Sequence, residues 1–202
     1  MSETAAVTQH RTKKQVEQGF LTSLSTYTLP RILLYQSQHL GKDYIAIREK
    51  AYGIWQTYHW EEYFNYTKRV ALGLMTLGLN RGEHVGIVMN NHPEWLFSEL
   101  ATQSLGAISL NLFTSSIAKE LASGLKRSHA VYAVAQDQEQ VDKLLESRKE
   151  LPDVRKVIYV DPTGMRTYEN HPWLISFREL LARGENLDRE KPHLYIEEIE
   201  KG

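Results

Sequence analysis

Short apolar runs alternate with segments of helical period through the middle of this chain. The runs HVGIVM (84–89), AISLNLF (107–113), AVYAVA (130–135) and RKVIYV (155–160) have centres about 23 to 25 residues apart, room for one strand, one helix and two short loops. This spacing predicts successive βαβ units. The expected fold class is α/β, a parallel sheet flanked by helices.

The helices announce themselves by period and by their ends. From Glu61 to Leu77, the residues Tyr63, Tyr66, Val70, Leu74 and Leu77 mark an apolar face, while Glu62, Asn65, Lys68 and Arg69 take the other side and Gly78 stops the helix. Asp137 with Gln140 in DQEQ, and Ser176 with Glu179 in SFRE, have the spacing of capping boxes. Pro30 opens a further helix at PRILLYQSQ. Ahead of the repeat, DYIAIRE and GIWQTYH alternate in the strand period around KAYG, which predicts an antiparallel hairpin over 43–59 outside the parallel sheet. The resulting organisation is a polar, mobile lead-in over 1–27, an α/β subdomain over 28–184 that includes the hairpin, and a polar tail over 185–202 with one short helix from Leu194.

The stretch NNHPEWL (90–96) sits where the first parallel strand gives way to a helix, the end of an α/β sheet at which ligands bind. Proline is tolerated at the first helical position and disfavours helix in the residue before it, so His92 is the expected N-cap. Glu94 then falls in the first turn, where the helix dipole favours a carboxylate. Leu96, Phe97, Leu100 and Leu105 supply the buried face, and Gly106 ends the helix. Helix initiation accounts for these residues, and a ligand contact at Asn90 or His92 is the rival reading.

Composition narrows the function classes. With 24 Lys and Arg against 25 Asp and Glu in 202 residues, the net charge of −1 gives no overall field toward nucleic acid or anionic lipid. The absence of cysteine excludes disulfides, thiolate metal sites and a cysteine nucleophile. No apolar run approaches the roughly 20 residues of a membrane span, and the first twenty residues lack a signal-peptide core. A cytoplasmic location is expected, with peripheral contact the one form of membrane association compatible with it.

Catalytic motifs do not emerge. The eight histidines give no pair at metal-binding helical spacing, and no nucleophile elbow, phosphate-binding loop or dinucleotide-binding turn is present. Lys126 and Lys143 are expected on helix surfaces, and Gly73, Gly78 and Gly82 read as a helix interior, a stop and a turn.

Taken together, GIWQTYHWEEY (53–63), LGLNRGEHVGIVMNNHPEWLFSELATQSLGAISLNLF (77–113), QDQEQVDKLLESRKELPDVRKVIYVDPTGM (136–165) and SFRELLARG (176–184) resemble the amino-terminal part of AMP-forming acyl-CoA synthetases, most closely the long-chain fatty-acid–CoA ligase branch. NNHPEW and LGAIS are the sharpest markers. The resemblance implies activation of a fatty acid with ATP and Mg²⁺ to an acyl-adenylate, followed by transfer to coenzyme A. It also implies that the residues for that chemistry come later: a Ser/Thr/Gly-rich phosphate loop ending in Lys-Gly, a glutamate after a threonine, an aspartate on the ribose and a lysine in a carboxy-terminal lid. None has a counterpart here, and EIEKG (198–202) resembles the segment just upstream of the strand that delivers the loop. The expectation is an amino-terminal fragment, inactive alone, with no catalytic, cofactor-binding or metal-ligating residue and no bound ATP, Mg²⁺ or coenzyme A. Uncovered apolar surface and a free sheet edge would favour self-association. The alternative is a non-catalytic interaction module, or half of a split enzyme completed by a partner chain. Where the family usually has Thr or Ser, this chain has His59 in YHWEEY, a poorer N-cap with Glu62 three residues on.

Overall fold

The computed structural model describes residues 27–51, 53–168 and 170–201. Apart from Tyr27, the expected lead-in over 1–27 lies outside the described residues.

Helix α1 (Leu29–His39) is followed by the hairpin β1 (Ile45–Ala51) and β2 (Ile54–His59), then by α2 (Trp60–Thr76). The α/β repeat comprises β3 (His84–Val88), α3 (Pro93–Ser104), β4 (Ile108–Leu112), α4 (Ala118–Arg127), β5 (Ala130–Ala135), α5 (Gln138–Glu146) and β6 (Lys156–Tyr159). Strand β7 (Leu174–Ser176) and helices α6 (Phe177–Glu190) and α7 (Leu194–Glu200) complete the described chain.

The large sheet is parallel throughout, in the order β4-β3-β5-β6-β7. Four of its five strands are the apolar runs read from the sequence. The fifth, β7, has three residues, too few to display a period, and runs directly into the helix capped by Ser176. Every residue of β5 is buried, as a central strand covered on both faces requires. On one face the core joins Val70 and Leu74 of α2, Phe97 of α3, Leu180 of α6 and Tyr195 of α7. On the other, Leu121 and Leu125 of α4 meet Val141 and Leu144 of α5.

Helix ends follow local chemistry. Asp137 accepts from the Gln140 N–H at 3.2 Å, and Ser176 accepts from the Glu179 N–H at 3.1 Å, both as expected. His59 is the N-cap of α2, and the Glu62 carboxylate accepts from the His59 backbone N–H at 2.8 Å while lying 3.0 Å from its ring Nδ1. These bonds hold the Glu62 carboxyl below its ordinary value, the backbone N–H contributing most.

Helix α2 is buried more widely than its apolar face predicts. Thr67, Ala71, Leu72 and Gly73 are covered as well as Val70 and Leu74, because α6 packs along the side left over by the sheet. Polar composition after Gly184 likewise coexists with core packing. Helix α6 continues through Gly184 to Glu190, and in α7 Tyr195 and Ile199 are buried, with the Tyr195 hydroxyl 3.0 Å from Ser104 Oγ.

The hairpin is antiparallel, with Glu49 opposite Gln56 and Lys50 opposite Trp55. It attaches through Tyr58, whose ring meets Phe97 and Tyr66 edge-on. Burial, then the carboxylates of Glu94 and Glu49, push the Tyr58 phenol up to about 12.

Candidate functional site at the strand carboxyl ends

The strand order makes β3 and β5 the neighbours at which the sheet reverses its winding. In doubly wound sheets, the crevice outside the carboxyl ends of such strands is where ligands bind. Asn90 follows β3 and Gln136 follows β5, so both stand at this point.

Here the chain's own polar groups bond to one another across the strand ends. The Asn90 backbone N–H donates to Gln136 Oε1 at 2.8 Å, and Gln136 Nε2 donates to Asp137 Oδ2 at 3.0 Å. Asn90 Oδ1 accepts from Thr114 Oγ1 at 2.9 Å, which ties the end of β3 to the loop after β4. Lys143 reaches from α5 to the Thr114 carbonyl at 2.7 Å and pairs with Glu139 at 2.8 Å. With its side chain only 19% exposed, Lys143 is an internal strut, not the free surface lysine expected from the sequence. Its long stem spans the gap from α5, a reach that helical periodicity does not register.

His92 and Glu94 open α3 as the sequence predicts, with His92 at the N-cap position and Pro93 following. The ring, however, turns to the hairpin, where Nδ1 lies 2.6 Å from Glu49 Oε1. Burial raises the Glu94 carboxyl above its ordinary value, and neighbouring Glu49 adds to the effect while His92 opposes it. Glu49 was not singled out in the sequence, since only the folded hairpin brings residues 43 positions apart together.

These bonds hold the loops in place. A carboxylate-oriented imidazole is half of a catalytic relay, yet among the described residues no Ser or Thr hydroxyl is bonded to His92. The Thr114 hydroxyl donates to an amide oxygen, which is too weak a base to take its proton. Among the described residues no group of three or more His, Asp or Glu could hold a metal ion. At this end lie two clefts of about 540 and 530 Å³, which share Asn91 and Trp95, and Asn90 and Thr114 line the first. The first is bounded by Phe113 and Asn111, the second by the hairpin residues Ile47 and Glu49.

A model of the family described as AMP-binding enzyme matches residues 35–193, nearly the whole described fold. The chain belongs to the AMP-binding enzyme family. Within it, the chain is similar to the long-chain-fatty-acid–CoA ligase ACSBG2 of Xenopus laevis, 24% identical over 176 residues, covering 87% of this chain and 23% of that protein. It is 30% identical over 137 residues to the ligase ACSBG1 of Macaca fascicularis, covering 67% of this chain and 19% of that one. The chain thus spans about a fifth of the length of these relatives. Among solved structures, the fold is similar to a putative long-chain-fatty-acid CoA ligase from Rhodopseudomonas palustris, with a TM-score of 0.63 at 22% identity over 76% of this chain and 36% of that one. It is also similar to the anthranilate CoA ligase AuaEII in complex with anthranoyl-AMP, with a TM-score of 0.57 at 21% identity over 63% of this chain and 23% of that one. These likenesses are to the α/β layer and its hairpin.

Proposed function

We propose that this chain supplies the amino-terminal α/β layer of a long-chain fatty-acid–CoA ligase and that residues 1–202 do not catalyse the reaction alone. The observation that carries the reading is the bond between Asn90 and Gln136 across the carboxyl ends of β3 and β5, where the chain's own groups pair with one another. Stabilising charge at an α-phosphate requires convergent N–H donors, a cation and Mg²⁺ in a dry cleft. Lys143, which reaches the loop after β4, is already committed to Glu139 and the Thr114 carbonyl.

On this reading the α/β unit runs from residue 28 through 184 and on through the packed helices α6 and α7, whose Tyr195 and Ile199 are buried in its core, and the chain leads from there toward the segment that carries the phosphate loop. Fatty acid, ATP, Mg²⁺ and coenzyme A bind only when that further portion is present. Titration of residues 1–202 with Mg·ATP in a calorimeter is expected to give no saturable heat. A stoichiometric isotherm would overturn the assignment.

A second reading, in which a partner chain completes the enzyme, is favoured by the free edge of the sheet. Along β4 and the loop after it, Ile108, Phe113 and Ile117 are exposed, Phe113 to 80%. Such an edge also favours self-association of the isolated chain, which would appear as a scattering mass that rises with concentration.

A further inference from the structure

The cleft of about 530 Å³ runs along a strand edge. One wall is Ile47, Arg48, Glu49 and Lys50, four consecutive residues of β1, and Trp95 and Leu96 of α3 stand opposite. A wall of consecutive residues is a strand met from its side, because each face of a strand shows only alternate residues. Among the described residues β1 pairs with β2 alone, so the cleft follows the side of β1 that β2 does not occupy. In an antiparallel ladder every second residue directs its N–H and C=O to the partner strand, and the residues between direct theirs the other way. Backbone donors and acceptors of β1 therefore open into the cleft along about 13 Å of strand.

The side chains divide by the same alternation. Glu49 faces α3, where its Oε1 lies 2.6 Å from His92 Nδ1, and Ile47 shares that face. Arg48 and Lys50 lie on the other face, and both are exposed. Among the described residues neither has an ion-pair partner. A strand added along β1 would continue both faces, because directly opposed residues point the same way. Its residues beside Arg48 and Lys50 would meet two cations, and those between them would meet the apolar Ile47, Trp95 and Leu96. Acidic and apolar residues in alternation satisfy both.

We propose that the free edge of β1 receives an extended segment of a partner protein in which acidic and apolar residues alternate, seated between β1 and the start of α3. Main-chain hydrogen bonds hold the segment, and Arg48 and Lys50 select its charge. The inference goes beyond the proposed function and does not depend on it, and its test needs no catalytic activity.

The experiment is fluorescence anisotropy of a labelled octapeptide of alternating Glu and Val, titrated with residues 1–202. Saturable one-to-one binding is expected, and it weakens with added salt. Arg48→Gln and Lys50→Gln are each expected to weaken it about two- to five-fold. Both variants keep the wild-type melting midpoint because these side chains are exposed. The backbone is tested in the peptide itself. N-methylation of every Glu blocks one hydrogen-bonding frame and N-methylation of every Val blocks the other, so one modified peptide loses binding while the other keeps it. Absence of binding by the unmodified peptide, the same result from both methylated peptides, or equal affinity of wild type and the double variant would overturn the proposal. So would displacement of the peptide by an equal concentration of inorganic tripolyphosphate, since that outcome makes the cleft a site for small anions.

Discussion

Gly73 of α2 and Gly184 of α6 pack backbone against backbone. A Cβ added to Gly184 would sit 1.9 Å from the Arg69 carbonyl oxygen and 2.9 Å from the Gly73 nitrogen. One added to Gly73 would sit 2.4 Å from the Leu180 carbonyl oxygen. The two helices cross at a separation that no side chain permits, and this closeness lets α6 cover the second side of α2. Alanine would gain about 1 kcal/mol of helix propensity, but the obstruction is rigid backbone, so the helices must separate. Gly184→Ala is expected to lower stability by about 2 kcal/mol net, read as a lower urea midpoint.

Tyr195 ties α7 to α3 through Ser104 and is fully buried. Tyr195→Phe keeps the ring and loses one hydrogen bond, a cost of about 1 kcal/mol. Tyr195→Ala empties the site and should cost about 3 to 5 kcal/mol. Equal stability of the alanine variant and the wild type in urea would show that α7 is not part of the cooperative unit.

At the start of α2, Glu62 already satisfies the His59 backbone N–H. His59→Thr adds a hydroxyl suited to the free helical N–H groups and is expected to raise stability by roughly 0.5 to 1 kcal/mol. An unchanged melting midpoint at neutral pH would count against the cap.

Two carboxylates give opposite pH dependences. Glu83, at the start of β3, accepts from the Asn80 N–H at 2.7 Å and pairs with Arg155 at the mouth of β6. Burial pushes its carboxyl up, but the bonds from Arg155 and Asn80 outweigh burial and leave it below the ordinary value of 4.5. A depressed folded value means stability that is full above the unfolded value and lost as pH falls through the lower, folded one. Glu83→Gln is therefore expected to cost about 1 kcal/mol at neutral pH, with the difference from wild type shrinking once pH drops below about 4.5. Glu94 has a raised value, so its ionised form burdens the fold and the burden lifts as pH falls through that value. Glu94→Gln should accordingly raise the neutral-pH melting midpoint. Melts of both variants across acidic pH check the two signs.

Much of this architecture was legible because it is local. Four parallel strands showed as apolar runs at even spacing, and the Asp137 and Ser176 caps lie three residues from their partners. What escaped was non-local or too short to have a period. Gly73 read as an ordinary helix interior because its meaning depends on a second glycine, Gly184, in a helix on the far side of the whole α/β repeat. Glu49 joins His92, and Lys143 reaches Thr114, only after the sheet has formed. NNHPEWL was legible as a helix start, and its second role, tying the ends of β3 and β5 through Asn90 and Gln136, required the strand order.

The central claim, that residues 1–202 are a scaffold whose chemistry resides elsewhere, is tested most directly by ATP/pyrophosphate exchange with a long-chain fatty acid and Mg²⁺. The purified chain is expected to exchange no pyrophosphate above a protein-free control. Fatty-acid-dependent exchange by residues 1–202 alone would contradict the account.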